Sequence, residues 1–372
     1  MRTPRSRLSK SFSLKERLTT CAQAIEFNPE HWRGSWHSWA PEKPENLDEI
    51  IDAAIESYQT KANGPQHPRE NGGKNTTNNS ANDAPQNYSE NDATYTAQNT
   101  AENSIENTIG NAVKNTTEAN LETDRLDTRK TETARTNTLY KKVILDLGCG
   151  KGEYTVALAK LHPETLFVGL DIEEICMIRG AEHALEHNVT NAVFMCADDP
   201  DLTTLFAHQE LDGILLNFPT PFPKKKRAHL RLTYLDRLLT YREILAPNAS
   251  IRLRTDSFPL RDFSLTQLEL AGYELKWNSD DVRTMYPNEP VSAYESKLIS
   301  DGIKVYGFEA VPGLLPEVIK QTAPLSLVSY LPENIEDLDH VPYGMQGCVA
   351  NMRGRRANRR KKGLSEWTRP IV

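Results

Sequence analysis

The segment Val143–Glu153, VILDLGCGKGE, constrains the fold more than any other part of this sequence. Its first three residues are apolar β-formers, which predict a strand that is covered on both faces. The glycines that follow let the backbone turn tightly and approach a ligand, and residues 153–161 have the apolar spacing of a helix. A second predicted strand ends at Asp171, about 20 residues further on, as in a nucleotide-binding βαβ unit.

The spacing of the glycines indicates which nucleotide cofactor is bound. Dinucleotide-binding folds use Gly-x-Gly-x-x-Gly, whereas this sequence reads Asp-x-Gly-x-Gly-x-Gly from Asp146. A carboxylate at that position repels a pyrophosphate but tolerates S-adenosylmethionine, which carries an ammonium, a sulfonium and a ribose and no phosphate. The pattern therefore predicts an S-adenosylmethionine site.

Strands and helices alternate from residue 142 to residue 311, which predicts an α/β fold with a doubly wound, mostly parallel, Rossmann-like sheet. A late pair of strands resembles the class I methyltransferase layout. Ligands of such sheets lie beyond the carboxyl ends of the strands, where four polar residues follow the first four predicted strands. We expect Asp171 to hold the ribose, Asp198 the adenine amino group and Asp146 the methionine end. The predicted cofactor-binding residues are Asp146, Gly148, Gly150, Gly152, Asp171, Asp198 and Asn217.

Composition divides the chain into four parts. Residues 61–138 are rich in Asn and Thr and carry few apolar residues, so they cannot bury enough surface to offset the entropy of ordering them. We predict a long disordered insert there. It separates a basic N-terminal arm and the start of the methyltransferase region (1–60) from a methyltransferase core (139–311) and a C-terminal segment with a basic tail (312–372).

The net charge of −7 is concentrated around the insert. Residues 41–136 carry 17 Asp and Glu against nine Lys and Arg, so the rest of the chain is close to neutral. Within that rest, Arg2–Arg17 and Arg353–Lys362 are strongly basic. Such runs favour a polyanionic partner, although solubility explains the C-terminal run equally well.

Several classes of protein are disfavoured. The five cysteines are odd in number and include no Cys-x-x-Cys pair, which argues against a disulfide framework or zinc ribbon. No signal peptide or apolar run of membrane-spanning length is present, so we predict a cytoplasmic protein without a membrane partner. His183–His187 matches the inverted zinc-protease pattern, but no third ligand is evident and we expect no metal.

The loop after the fourth predicted strand is the second informative segment. Asn217–Arg227, NFPTPFPKKKR, combines three prolines, two phenylalanines and four consecutive cations. Aromatic rings beside a dense positive patch suit an exposed base with its phosphates. A solvated charge run is the alternative, but the position at the active edge of the sheet favours substrate binding.

This loop resembles the signature loop of bacterial tRNA (guanine-N7)-methyltransferases, which carries Phe-x-Asp-Pro-Trp-Pro-Lys-Lys-Arg and then Arg-Arg-Leu-Thr. Here Leu216–Tyr234 reads LNFPTPFPKKKRAHLRLTY. Further pieces resemble the family in the same order, namely Asn28–Trp36, Asp146–Gly152, Arg252–Asp256 and Ser292–Lys297. The resemblance covers residues 28–36 and 143–310 and excludes the predicted insert and everything from Pro312.

The resemblance implies methyl transfer from S-adenosylmethionine to N7 of a guanosine in the tRNA variable loop, by a monomer or weak homodimer. It places Lys224 and Asp256 against substrate, and Ser292 with Glu295 against guanine, whose N1–H and amine face a carboxylate well. The full predicted substrate-binding set is Lys224, Lys225, Lys226, Arg227, Asp256, Ser292, Tyr294 and Glu295.

One departure from the family affects the expected chemistry. The aspartate of the family's loop is Thr220 here, at the position we take as catalytic, and its tryptophan is Phe222. Losing one such electrostatic contact typically costs on the order of 100-fold in rate. Two alternatives therefore stay open: an RNA-binding protein with weakened or lost catalysis, and a methyltransferase with another acceptor, such as a protein or metabolite.

Overall fold

The computed structural model describes residues 13–41, 46–63, 139–198, 200–338 and 340–365. Those up to Gln59 and from Leu139 belong to one compact unit. The predicted insert lies outside the described residues except for 61–63, which end a helix. Most of the first basic run also lies outside them.

The strands form one seven-stranded sheet in the order β3-β2-β1-β4-β5-β7-β6. β1 to β5 pair in parallel, whereas β7 runs antiparallel to β5 and β6. The predicted doubly wound, mostly parallel sheet is thereby confirmed. Because the strand order reverses at β1 and β4, their carboxyl ends form the crevice where such sheets bind ligands. The strands are β1 (Lys142–Leu147), β2 (Thr165–Asp171), β3 (Ala192–Cys196), β4 (Leu211–Asn217), β5 (Leu245–Thr255), β6 (Tyr273–Ser279) and β7 (Tyr306–Pro312).

The helices follow the predicted alternation, with differences at their ends. The helix after β1 has the predicted bounds, 153–161. The helix after β5 begins five residues before the predicted Phe263, because Ser257 accepts a hydrogen bond from the Leu260 amide and Pro259 suits a first turn. The described helices are α1 (Leu14–Cys21), α2 (Leu47–Asn63), α3 (Glu153–Leu161), α4 (Glu174–Glu186), α5 (Leu202–Leu205), α6 (Leu235–Ile244), α7 (Phe258–Leu270), α8 (Val282–Met285), α9 (Ala293–Ser300) and α10 (Gln346–Lys361).

The segment before the insert is part of the folded core. Trp36 is fully buried against Phe206, and its indole N–H donates to the Leu205 carbonyl at 2.9 Å. Two cations of the first basic run are engaged within the fold, Lys15 with Asp52 and Arg17 with Glu182. At least these two are therefore poor candidates for an RNA contact.

Residues 313–365, the C-terminal extension, could not be placed from sequence and pack on α7. Apolar side chains of α7 and of the extension form one buried cluster. Full burial of one such side chain stabilises the folded state by about 1.5–3 kcal/mol. The cluster joins Leu260 and Phe263 of α7 to Leu327, Leu331, Ile335, Met345, Val349 and Met352 of the extension. The extension is thus part of the fold, and α10 carries the second basic run.

Candidate active site

A cavity of about 390 Å³, hereafter the pocket, lies where β1 and β4 end. Its volume is within the usual range of small-molecule sites, roughly 300–1,000 Å³. Three regions of the sequence that were predicted separately meet in it: the glycine loop, the loop after β4 and the start of α9. The predicted site residues that line it are Asp146, Gly148, Gly150, Asn217, Thr220, Asp256, Ser292, Tyr294 and Glu295.

The glycine loop is tied to the end of β2. The Gly148 amide donates to the Leu170 carbonyl at 2.8 Å, and the Gly150 amide donates to Oδ2 of Asp171 at 2.8 Å. Both glycines have positive φ, 78° and 57°, which favours residues without a side chain. Asp171 does not line the pocket, but it accepts a hydrogen bond from Gly150, which does. Its predicted contact with a ribose stays a prediction.

Gly152 is required by packing. It has φ of 72°, and a Cβ built on it would lie 2.6 Å from Gly180 Cα and from the Phe194 ring. α3 can approach α4 and β3 this closely only because the residue has no side chain. Gly152 is absent from the pocket lining, as is Asp198, which is exposed beyond β3. Their assignment to cofactor binding remains untested.

Asp146 is a buried carboxylate at the glycine-loop side of the pocket. Only 1% of it is exposed, and its carboxylate accepts hydrogen bonds from Thr155 Oγ1 at 2.6 Å and Asn217 Nδ2 at 3.2 Å. Burial raises its pKa to about 6, while the Thr155 and Asn217 donors oppose that rise. A cationic ligand group beside this carboxylate would relieve the cost of burying it.

Residues 217–227 form the loop after β4 and are called the acceptor loop. A buried arginine stabilises the backbone of this loop. Arg231 is fully buried and donates to the Pro221 carbonyl at 3.0 Å and the Phe222 carbonyl at 2.7 Å. Its guanidinium also lies 4.2 Å from the centroid of the Phe263 ring. Phe218 and Phe222 have φ of 50° and 41°, a strained region for aromatic residues that needs such support.

Within the acceptor loop, Thr220 is exposed and lines the pocket, and its predicted catalytic role stays a prediction. The three lysines from Lys224 to Lys226 are exposed but lie outside the lining, and Arg227 is half-buried. The cationic run thus follows the pocket-lining residues of the acceptor loop without lining the pocket itself, and its predicted contact with substrate stays a prediction.

The first turn of α9 forms another wall of the pocket. Ser292 caps the helix by accepting from the Glu295 amide at 3.2 Å. The Ala293 amide donates to Glu153 Oε2 at 2.6 Å, which ties α9 to the start of α3. The Tyr294 ring meets Phe218 edge-on at 5.2 Å, and its hydroxyl donates to Asp256 Oδ2 at 3.4 Å.

Glu295 is held in an ion-pair network. It is 1% exposed and accepts from Arg254, a fully buried residue that also donates to Glu289 at 2.8 Å. Burial raises the pKa of Glu295, and Arg254 opposes the rise. The Tyr154 hydroxyl accepts from Arg252 at 2.7 Å, which links α3 to the same network. At least one oxygen of Glu295 is therefore committed to Arg254, and its predicted contact with guanine stays a prediction.

The C-terminal extension also contributes to the site, which sequence reasoning missed. Tyr343 lines the pocket, and His340 Nε2 lies 3.2 Å from Oδ2 of Asp256. The Leu327 amide donates to the Pro223 carbonyl at 3.1 Å. In the sequence, the residues of the extension that reach the site are isolated polar and aromatic residues without periodicity, and such a pattern does not indicate a site.

In the part of the chain that the structure describes, no cluster of three or more His, Cys, Asp or Glu residues could hold a metal ion. His183 and His187 stack at 6.2 Å, and His183 Nδ1 lies 3.5 Å from a Glu186 oxygen. None of the described helices has the length and apolar character needed to cross a membrane.

The donor set of the pocket fits S-adenosylmethionine. Gly148 and Gly150 leave room for a close backbone approach, and Asp146 offers a buried negative charge to an ammonium group. Asp171 accepts two backbone N–H bonds and, as a carboxylate, retains acceptor capacity for hydroxyl groups.

Comparison with known proteins agrees with this geometry. A family model described as "Putative methyltransferase" matches residues 140–308. The tRNA (guanine-N(7)-)-methyltransferase of Geobacillus kaustophilus is 34% identical over 168 residues, which are 45% of this chain and 77% of that protein. The enzyme of the same name from Limosilactobacillus reuteri is 35% identical over 164 residues, 44% of this chain and 77% of that protein.

Among solved structures, the 16S rRNA (adenine(1408)-N(1))-methyltransferase from Catenulisporales acidiphilia superposes with a TM-score of 0.36 and 18% identity. That alignment covers 50% of this chain and 94% of the other, and a TM-score this low supports no inference about function. The sequence relatives are decisive, because identity above 30% extends over more than two thirds of each relative. The chain belongs to the tRNA (guanine-N7)-methyltransferase family, whose members are enzymes that use S-adenosylmethionine as methyl donor.

Proposed function

We propose that this protein methylates tRNA, at N7 of a guanosine in the variable loop, with S-adenosylmethionine as donor. The observation that carries the proposal is the single pocket that joins the glycine loop to Thr220 of the acceptor loop and Ser292 at the start of α9. The donor and the acceptor of a methyl group could meet in such a space. The names of the curated relatives support tRNA as the substrate.

The chemistry asks mainly for alignment. S-adenosylmethionine would supply an electrophilic methyl group, which the free lone pair of guanine N7 would accept. The sulfur–methyl bond would break, S-adenosylhomocysteine would leave, and the positive charge would pass to guanine, so no proton has to be removed. Asp146 and Asn217 would hold the donor side, while the Arg231-supported acceptor loop would orient the base. Positioning of this kind can account for most of the acceleration of a two-substrate reaction.

Recognition of guanine falls to the carboxylates on the α9 side. Guanine presents N1–H and an exocyclic amine as adjacent donors, which suit a carboxylate acceptor. Asp256 and Glu295 both line the pocket, and Asp256 already accepts from the Tyr294 hydroxyl. The lysines 224–226 would bind the phosphates next to the base.

Thr220 favours a second candidate, an RNA-binding protein with little or no catalysis. The side chain is exposed at the pocket and brings no charge to stabilise the cation that develops on guanine. Both candidates require tRNA binding, and only the first consumes S-adenosylmethionine. The predicted cytoplasmic location, the monomeric or weakly dimeric state and the domain bounds 1–60, 61–138, 139–311 and 312–372 remain part of the proposal.

The test is methyl transfer from labelled S-adenosylmethionine to an unmodified tRNA transcript, mapped by aniline cleavage at 7-methylguanosine. Label at a variable-loop guanosine supports the proposal. Two control transcripts sharpen it: one with adenosine at that position, and one with 7-deazaguanosine, which lacks the N7 lone pair. Equal labelling of the 7-deaza transcript would contradict N7 as the acceptor, and tRNA binding without any transfer would favour the second candidate.

A further inference from the structure

The C-terminal extension lies beyond the family match, which ends at residue 308, yet it reaches the pocket. Tyr343 belongs to the pocket lining and is 63% exposed. Tyr294 on the α9 side is 42% exposed. Two large aromatic side chains thus offer surface to the same opening, and aromatic rings at such openings are stacking partners for unpaired bases.

The backbone that follows Tyr343 is held in place by its neighbours. Met345 is fully buried in the cluster on α7, and its amide donates to the Pro342 carbonyl at 3.0 Å. Gly344 has φ of 78°, and a Cβ at that position would lie 3.6 Å from Pro221 of the acceptor loop. The extension is therefore packed against the acceptor loop, and the backbone at Tyr343 needs little ordering on binding.

α10 begins at Gln346, three residues after Tyr343, and its 16 residues span about 24 Å. It contains six Arg and Lys residues and no acidic residue. Arg356 is buried in an ion pair with Glu336, whereas Arg355 and Lys361 are exposed, as is Lys362 directly after the helix. Cations in the last turn of a helix are stabilised by its dipole, but Arg355 lies before that turn and gains little from it.

We propose that residues 313–365 form an additional RNA-binding element, in which Tyr343 stacks on the acceptor base and exposed cations of α10 bind neighbouring phosphates. This inference rests on the proposed function and adds a substrate contact that the matched region lacks. The extension would supply affinity for RNA beside Asp256, whose Oδ2 lies 3.2 Å from His340 Nε2 and also accepts from the Tyr294 hydroxyl.

The stacking contact is tested in the full chain with Tyr343→Ala and Tyr343→Phe. We expect the alanine variant to raise the Kd and KM for tRNA roughly 5- to 100-fold and the phenylalanine variant to stay near wild type, because base–aromatic stacking requires only the ring. The midpoint of thermal unfolding should stay near that of the wild type in both, because Tyr343 is largely exposed, and this reports that the chain is folded.

The phosphate contacts are tested with Arg355→Gln/Lys362→Gln. The matched control is Lys142→Gln/Lys160→Gln, because these exposed lysines lie at the start of β1 and the end of α3, at the opposite edge of the sheet. The first pair should reduce the slope of log Kd against log salt for tRNA by about 1–2, and the control by less than half of that.

Tyr343→Ala with unchanged tRNA affinity, or equal slopes in the two double variants, overturns the inference while wild-type methylation of tRNA leaves the proposed function standing. A wild-type chain that binds S-adenosylmethionine but neither binds nor methylates tRNA overturns the proposed function, and the inference with it.

Discussion

Replacing Asp146 by Asn should make the protein more stable and a poorer binder of its cofactor. Burial raises the pKa of this carboxyl from 3.8 to about 6. The folded chain therefore holds the proton more tightly than the unfolded chain, and the stability gained from this is complete below about pH 4 and lost as the pH rises through 6. At 1.36 kcal/mol per unit, the cost of keeping the ionised form buried at pH 8 is about 3 kcal/mol.

Asparagine has the same shape and no charge, so the variant should gain up to about 3 kcal/mol in the free energy of unfolding at pH 8 and roughly half of that at pH 5. Urea denaturation at both pH values measures this. Asp301→Asn, at an exposed aspartate, is the control and should change stability by less than about 0.5 kcal/mol. A gain that is absent, or that is the same at pH 5 and pH 8, would refute the argument from burial.

Calorimetric titration with S-adenosylmethionine gives the second readout. Loss of a charge-assisted contact to the ammonium should weaken binding by Asp146→Asn roughly 10- to 100-fold. Wild-type affinity should rise as the pH increases through 6, because only the ionised carboxylate attracts a cation, and the variant should lose this dependence. A variant that keeps the wild-type pH profile would remove Asp146 from the cofactor site.

Three further predictions concern the loops around the pocket. Thr220→Asp should raise the methylation rate, by up to about 100-fold if the family geometry holds. Thr220→Asn is the uncharged control, and an equal gain in rate for that variant would exclude a charge effect. Replacing Lys224–Lys226 by Gln should weaken tRNA binding and reduce its salt slope by about 2–3, and an unchanged slope would remove these lysines from the interface. Gly152→Ala should destabilise the chain by about 1–3 kcal/mol more than Gly150→Ala, because a Cβ at 150 meets nothing within 4 Å whereas one at 152 overlaps Gly180. Equal thermal unfolding midpoints would contradict this.

The sheet and the cofactor side of the pocket could be predicted from sequence because their signals are local. Apolar runs predicted β1 to β5, and a polar residue at the end of such a strand lies at the carboxyl edge of the sheet, where Asp146 and Asn217 do meet. The parallel pairing places such residues together whatever the side-chain details.

The supports of the pocket could not be predicted, since they depend on contacts between distant segments. Nothing in the sequence around Arg231 indicates that its guanidinium binds two carbonyls of the acceptor loop, or that Arg254 is buried against Glu295. Tyr343 lies more than 100 residues after the acceptor loop, in a segment without helical or strand periodicity. Local pattern reports which face of an element is buried, not which distant residue covers it.

Arg231 has a consequence for which substitutions this chain can accept. Because the backbone of the acceptor loop is fixed by a residue that is itself fully buried, the exposed side chain at 220 contributes little to the conformation of the loop. A single substitution can therefore remove or introduce a carboxylate at position 220 without changing the backbone of the acceptor loop. The chemistry at the acceptor and the architecture that presents it can therefore evolve independently.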